Sequence, residues 1–250
     1  MATIENILTQ IRKELQDNAP LLGEEEKKRF YKILNSENPD FTSYGFKIPE
    51  IENFARSFHQ VYGLTLKEGV KLFNHLMRSN VHNEKFLGVF IINRFKKDFK
   101  PSIVKTFYDA FIAYCDTRAL CDSSMIRVVG PFLGKKSNEK LAREMVNKWS
   151  NSENMWIRRA SLVILIKITM INKDFDKDQI YDIVDRMRDS TEDYIHKGIV
   201  WLLKTCSTYE PDLILEYLME NKKNLSRLIL QYDCEKIPKE KKKKILEKSK

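Results

Sequence analysis

Residues Glu153–Ala160 read E-N-M-W-I-R-R-A and run straight into the longest apolar stretch of the chain, Ala160–Met170. Two other segments look like it. Ser79–Phe86 is S-N-V-H-N-E-K-F, and Asp189–Gly198 is D-S-T-E-D-Y-I-H-K-G. In each, a ring (His82, Trp156, Tyr194) stands three residues before a cation (Lys85, Arg159, Lys197). The cations are 74 and 38 residues apart. Because 74 is twice 37, the spacing predicts a further unit midway, at Asp122 in C-D-S-S-M-I-R-V-V. A period of 37–38 residues with two helices per unit points to HEAT-like repeats. Each unit buries its apolar faces only by stacking on its neighbours. The predicted fold is all-α: a HEAT-like helical-repeat solenoid (an α-α superhelix). Lys85, Asp122, Arg159 and Lys197 would form a ladder along a concave basic face, with Trp201 one turn beyond Lys197.

The rest of the chain reads at the same helical period. Ile4, Ile7, Leu8, Ile11 and Leu15 make an i, i+3, i+4, i+7 stripe behind Thr3, which is placed to cap it. Similar stripes are Val70, Leu72, Phe73, Leu76 and Met77, then Val104, Phe107, Tyr108, Phe111 and Ile112. Leu141, Met145, Val146 and Trp149 follow, then Ile180, Ile183, Val184 and Met187, and finally Leu213, Leu215, Tyr217 and Leu218 behind Pro211. Strand alternation is nearly absent. The pattern predicts about a dozen helices of roughly 10–18 residues joined by short loops.

Composition agrees. The chain has 250 residues, with 42% hydrophobic and 11% aromatic, too apolar for a disordered chain. Only 8 Gly and 7 Pro are present, where average usage would give about 17 and 12. Turn-rich β architectures need more. Four cysteines (Cys115, Cys121, Cys206, Cys234) form no CxxC pair and no ligand spacing with the four histidines, so neither a structural zinc nor any other metal is expected. The N-terminus shows no signal peptide, and Ala160–Met170 is too short and too broken to span a bilayer. The expectation is a cytoplasmic protein with reduced thiols, not secreted, nucleoid-associated if prokaryotic, without a membrane partner, and a monomer.

The formal charge is +9, which suits a polyanionic partner. Its distribution is uneven. Residues 236–250 hold eight lysines against Glu240 and Glu247, a net of +6, leaving +3 for the rest. The expected organisation is one repeat domain over residues 1–235 and a lysine-rich helix or tail over 236–250.

Cations at repeat spacing suit a phosphate backbone, whose contacts supply most non-specific affinity. A carboxylate among them is the odd member. Three readings stand open for Asp122: a cap for a helix starting near Ser123, a partner for a neighbour such as Arg159, or chemistry. Trp149 and Trp156 read as core; Trp201 stands beside cations where an aromatic face can stack on a base or sugar. Tyr44–Pro49 is a loop opening a helix over Glu50–Gln60. His82 with Glu84, and Glu192 with His196, form no recognised ligand set, and GxSxG, GxxxxGK[ST] and GxGxxG are all absent.

Five segments occur in an order and spacing that resemble the DNA alkylation repair family, the AlkD-like alkylpurine DNA glycosylases built from HEAT-like repeats. They are Y-G-F-K-I-P-E (Tyr44–Glu50), H-N-E-K-F (His82–Phe86), C-D-S (Cys121–Ser123), W-I-R-R-A (Trp156–Ala160) and I-H-K-G-I-V-W (Ile195–Trp201). The resemblance covers residues of about 1 to 235. It implies excision of cationic N3- or N7-alkylated purines from double-stranded DNA, without a base-flipping pocket and without metal or cofactor. It implies Asp122 as the catalytic carboxylate, Trp201 as a lesion-site aromatic, Arg159 as a backbone contact near the lesion, and Lys197 and Lys85 as further phosphate contacts. One position departs from the family. Active members carry a tryptophan four residues before the aspartate, where this chain has Arg118. Arginine stacks on bases but repels a cationic lesion, by on the order of 1 kcal/mol at 4 Å in water and more when desolvated. It also stands at i, i+4 to Asp122, where an ion pair would occupy the carboxylate. The alternative is a protein that binds damaged or branched DNA on the same fold without excision. A third reading, from another class, is a helical scaffold for an acidic protein.

Overall fold

The computed structural model describes residues 3–36, 38–226 and 229–230. Among them the chain is all-α, as the periodicity predicts. The helices are α1 (Ile4–Asp17), α2 (Glu24–Leu34), α3 (Ile48–Tyr62), α4 (Leu66–Leu76), α5 (His82–Asn93), α6 (Ser102–Tyr114) and α7 (Arg118–Ser124). A π-helical stretch, Met125–Val129, leads into α8 (Gly130–Leu133). Then come α9 (Glu139–Ser150), α10 (Met155–Asn172), α11 (Lys177–Met187), α12 (Asp193–Cys206) and α13 (Pro211–Asn221).

Local chemistry starts these helices. Thr3 caps α1, its Oγ1 accepting from Asn6 N at 3.2 Å. Thr65 and Glu68 form a reciprocal capping box on α4. Thr117 Oγ1 accepts from Leu120 N at the start of α7. Pro49 lies in the first turn of α3, where its missing N–H costs nothing, and Glu50 accepts from Lys47 N at 2.7 Å. Gly45 just before it has φ +88°, and a Cβ there would stand 2.5 Å from Leu22 Cδ1, so this loop needs glycine.

The predicted stripes are buried in nearly the expected register. Ile7, Leu8, Ile11 and Leu15 are buried on α1, and Ile180, Ile183, Val184 and Met187 on α11. On α13 the burial falls on Ile214, Tyr217 and Leu218, not on Leu213 and Leu215. That i, i+3, i+4 set completes a helical stripe that the alternating reading of Leu213 and Leu215 missed.

The chain divides into two compact units, Met1–Val128 and Val129–Lys250. In the first, α5 packs against α3, α4 and α7, and α1 packs on α4. In the second, α10 packs against α8, α9 and α12; α11 packs on α9 and α12, and α13 on α12. Helices touch helices near in sequence, as in a stacked array. The lysine-rich segment 236–250 and Cys234 lie outside the described residues. Among the described residues no helix is long and apolar enough to cross a membrane.

Candidate nucleic-acid interface

The first unit carries Lys85, Arg118 and Asp122. Helix α5 is buried along almost its whole length, polar residues included. Lys85 is 3% exposed. Its Nζ donates to Tyr114 O at 2.8 Å and to the Asp116 carboxylate at 2.6 Å. An unpaired buried ammonium would cost several kcal/mol, so the lysine is held by its acid. The bond ties the end of α6 and the residue before the α7 cap to α5. This corrects the expectation for Lys85, whose ammonium is spent on a protein carboxylate and does not face a phosphate. Asp116 is the residue that sequence reasoning missed. No local motif marks it; a buried lysine's need for an acid is the one available signal.

Its neighbours on α5 are equally occupied. Glu84 accepts from the Tyr44 hydroxyl at 2.9 Å and from Arg12 Nε at 3.1 Å. Burial, with the Glu84 charge beside it, pushes the Tyr44 phenol up to about 12. Asn83 Oδ1 accepts from Ser43 Oγ at 2.7 Å and Tyr44 N at 2.9 Å. These bonds fasten the Tyr44–Pro49 loop to α5. His82 packs between Phe41 and Phe86, and burial, with Lys85 nearby, pushes its imidazole down to about 3.

Asp122 lies inside α7, five residues after the Thr117 cap. It therefore does not cap a helix beginning near Ser123; α7 has already started at Arg118. Asp122 is half-buried and Arg118, one turn earlier, is exposed. Among the described residues no ion pair joins Arg118 to Asp122.

The second unit carries Arg159, Lys197, Trp156 and Trp201. Trp156 is core, as expected, with its ring 5.3 Å from that of Tyr194. Arg159 is 2% exposed and donates Nη1 to Tyr194 O. Its guanidinium lies 6.0 Å from the Tyr194 ring, and Lys197 Nζ lies 5.8 Å from the same ring. Tyr194 thus gathers both cations. Arg159, like Lys85, departs from the expectation of an open phosphate contact, because its head group is enclosed by protein. Lys197 is exposed and pairs with Asp193 one turn back at 3.2 Å. Trp201 is half-buried on α12. Arg158, the residue before Arg159, donates Nη2 to both carboxylate oxygens of Glu192, a structural pair.

The comparisons with known proteins point one way. A solved structure described as a predicted DNA alkylation repair enzyme from Enterococcus faecalis superposes with a TM-score of 0.69 at 16% identity. The match covers 87% of this chain and 97% of that one. At this identity the likeness is one of fold. No curated protein matches the sequence. The family model described as DNA alkylation repair enzyme matches residues 11–237. The chain therefore belongs to the DNA alkylation repair enzyme family, a DNA-repair family whose partner is DNA.

Proposed function

We propose that this protein is a DNA glycosylase that removes N3- or N7-alkylated purines from double-stranded DNA, acting as a cytoplasmic monomer with no metal or cofactor. The observation that supports the reading is Asp122: a half-buried carboxylate inside α7, where the resemblance expects the catalytic aspartate, in a chain of that family. The purine of such a lesion is already positive. When the N-glycosidic bond breaks, its electron pair goes to the base, which leaves neutral. The positive charge moves to the deoxyribose as an oxocarbenium ion. The Asp122 carboxylate stabilises that cation and orients the water that adds to C1′ and gives up a proton to solvent, leaving the sugar hydroxyl. Trp201 offers an aromatic face to the lesion. Lys197 is the exposed cation suited to a backbone phosphate.

The experiment is release of 7-methylguanine and 3-methyladenine from alkylated DNA, wild type beside Asp122→Asn. Loss of one charge-stabilising group costs about 100-fold or more in rate. Release by neither protein, with DNA binding retained, sinks the glycosylase reading for these lesions.

One observation favours the second reading, a binder of damaged or branched DNA. Arg118 is exposed and unpaired with Asp122, so its charge stands free to oppose a cationic base and to attract a phosphate. Arg118→Trp discriminates. Release appearing only in that variant would assign the wild type to binding; release already present in the wild type removes the alternative.

A further inference from the structure

Several cations of the described residues sit beside acids. Lys85, Arg12, Arg127, Arg143, Arg158 and Lys197 are all ion-paired. Two inter-helix corners differ. After α5 the chain runs Phe95-Lys96-Lys97-Asp98-Phe99-Lys100-Pro101 into α6. After α8 it runs Gly134-Lys135-Lys136-Ser137-Asn138-Glu139-Lys140 into α9. All six lysines are exposed, and among the described residues none has an ion-pair partner. Lys135 touches a ring, that of Phe132, at 5.6 Å.

The two corners recur at close to one repeat length. Lys96 to Lys135 and Lys97 to Lys136 are 39 residues apart, and Lys100 to Lys140 is 40. Each corner has three lysines against one acid.

Helix dipoles explain only part of this. A lysine just past a helix C-terminus is stabilised by the carbonyl end, which covers Lys96 and Lys135. Lys100 precedes Ser102 of α6 by two residues, and Lys140 is the second residue of α9. At those N-terminal ends the dipole repels a cation. Fold stability alone would not place lysine there twice.

The corner after α10 supplies the contrast. Lys173-Asp174-Phe175 repeats Lys97-Asp98-Phe99 at 76 residues, two periods of 38. Here Lys173 and Lys177 face Asp174, Asp176 and Asp178 in the sequence, and the corner is net acidic.

We propose that the corners at Lys96–Lys100 and Lys135–Lys140 each grip the DNA phosphate backbone, and that the acidic corner at Lys173–Lys177 does not. The proposal rests on the DNA-repair role of the family but not on excision. It supplies exposed cations where Lys85 and Arg159 are enclosed.

The test is fluorescence anisotropy of a short, undamaged, fluorescein-labelled duplex over a series of potassium chloride concentrations. Each phosphate contact contributes about 0.9 to the slope of log K against log salt. Lys135→Gln/Lys136→Gln/Lys140→Gln should lower the slope by about 2 to 3, as should Lys96→Gln/Lys97→Gln/Lys100→Gln. Lys173→Gln/Lys177→Gln should leave it unchanged. Thermal unfolding of each variant should match wild type, because the side chains are exposed. An equal fall per lysine in all three variants would mean diffuse charge, and an unchanged slope in the first two would mean no contact; either overturns the proposal. Glycosylase activity plays no part in these readings. If wild type shows no salt-dependent binding to any duplex, the DNA role fails and the corners fail with it.

Discussion

Lys85 on α5 and Lys197 on α12 look alike in the sequence, each three residues after a ring, yet their charges are used in opposite ways. Lys85 finds Asp116 from the next helix corner and is sealed off with it. Lys197 finds Asp193 on its own helix, in solvent, where both side chains stay about half exposed or more. A buried lysine cannot keep its charge without an acid, so burial and pairing come together. An exposed lysine gains little from its pair and is readily released to another anion. Positions alike in sequence therefore hold a strut in one unit and an available cation in the other.

The largest expected effect breaks the strut. Lys85→Met leaves Asp116 buried and unpaired and should destabilise the fold by about 3–5 kcal/mol in denaturant unfolding. Lys85→Met/Asp116→Leu should recover most of that loss, since replacing a whole buried pair by apolar groups is often neutral. The double variant should also keep the wild-type salt dependence of DNA binding. A fall of about one unit of slope would return Lys85 to the phosphate contacts.

A pH-dependent effect concerns the ring before the strut. His82 is held neutral, its imidazole pushed down to about 3 by burial. The unfolded chain takes up a proton near its ordinary value of about 6.5, while the folded chain does not until about 3. Stability from this residue is therefore present above about 6.5 and is lost as pH falls toward 3, by up to about 1.4 kcal/mol per pH unit. His82→Phe should flatten that acid limb in melts between those values. An unchanged limb would assign acid sensitivity to other groups.

The sequence carried the fold because burial leaves a period. The stripes on α1, α4 and α11 are legible since one helix face does one job. The site was legible only as positions. Lys85 and Lys197 look alike along the chain because exposure depends on what a neighbouring helix brings, and Asp116 arrives from a corner 31 residues away. Asp122 read equally as a cap because a short helix start is set by Thr117, whose claim to the cap was not visible beside C-D-S-S. The corner lysines escaped notice because they sit between stripes, where periodicity has no hold.

The smallest effect sharpens the comparison most. Lys197→Gln removes an exposed i, i+4 pair and should cost at most about 0.5 kcal/mol of stability. If its ammonium is available to DNA, the same change should lower the salt slope by about 0.9. Asp193→Asn should move affinity the other way. It frees the ammonium and removes a repelling carboxylate, so binding should tighten a few-fold at low salt and converge with wild type as salt screens the charges. The two single changes lie on one turn of one helix and alter charge in opposite senses. Opposite signs in binding with near-zero changes in stability are what an exposed cation gives. A large stability loss in Lys197→Gln would instead make it a second Lys85, and the distinction between the two units would collapse.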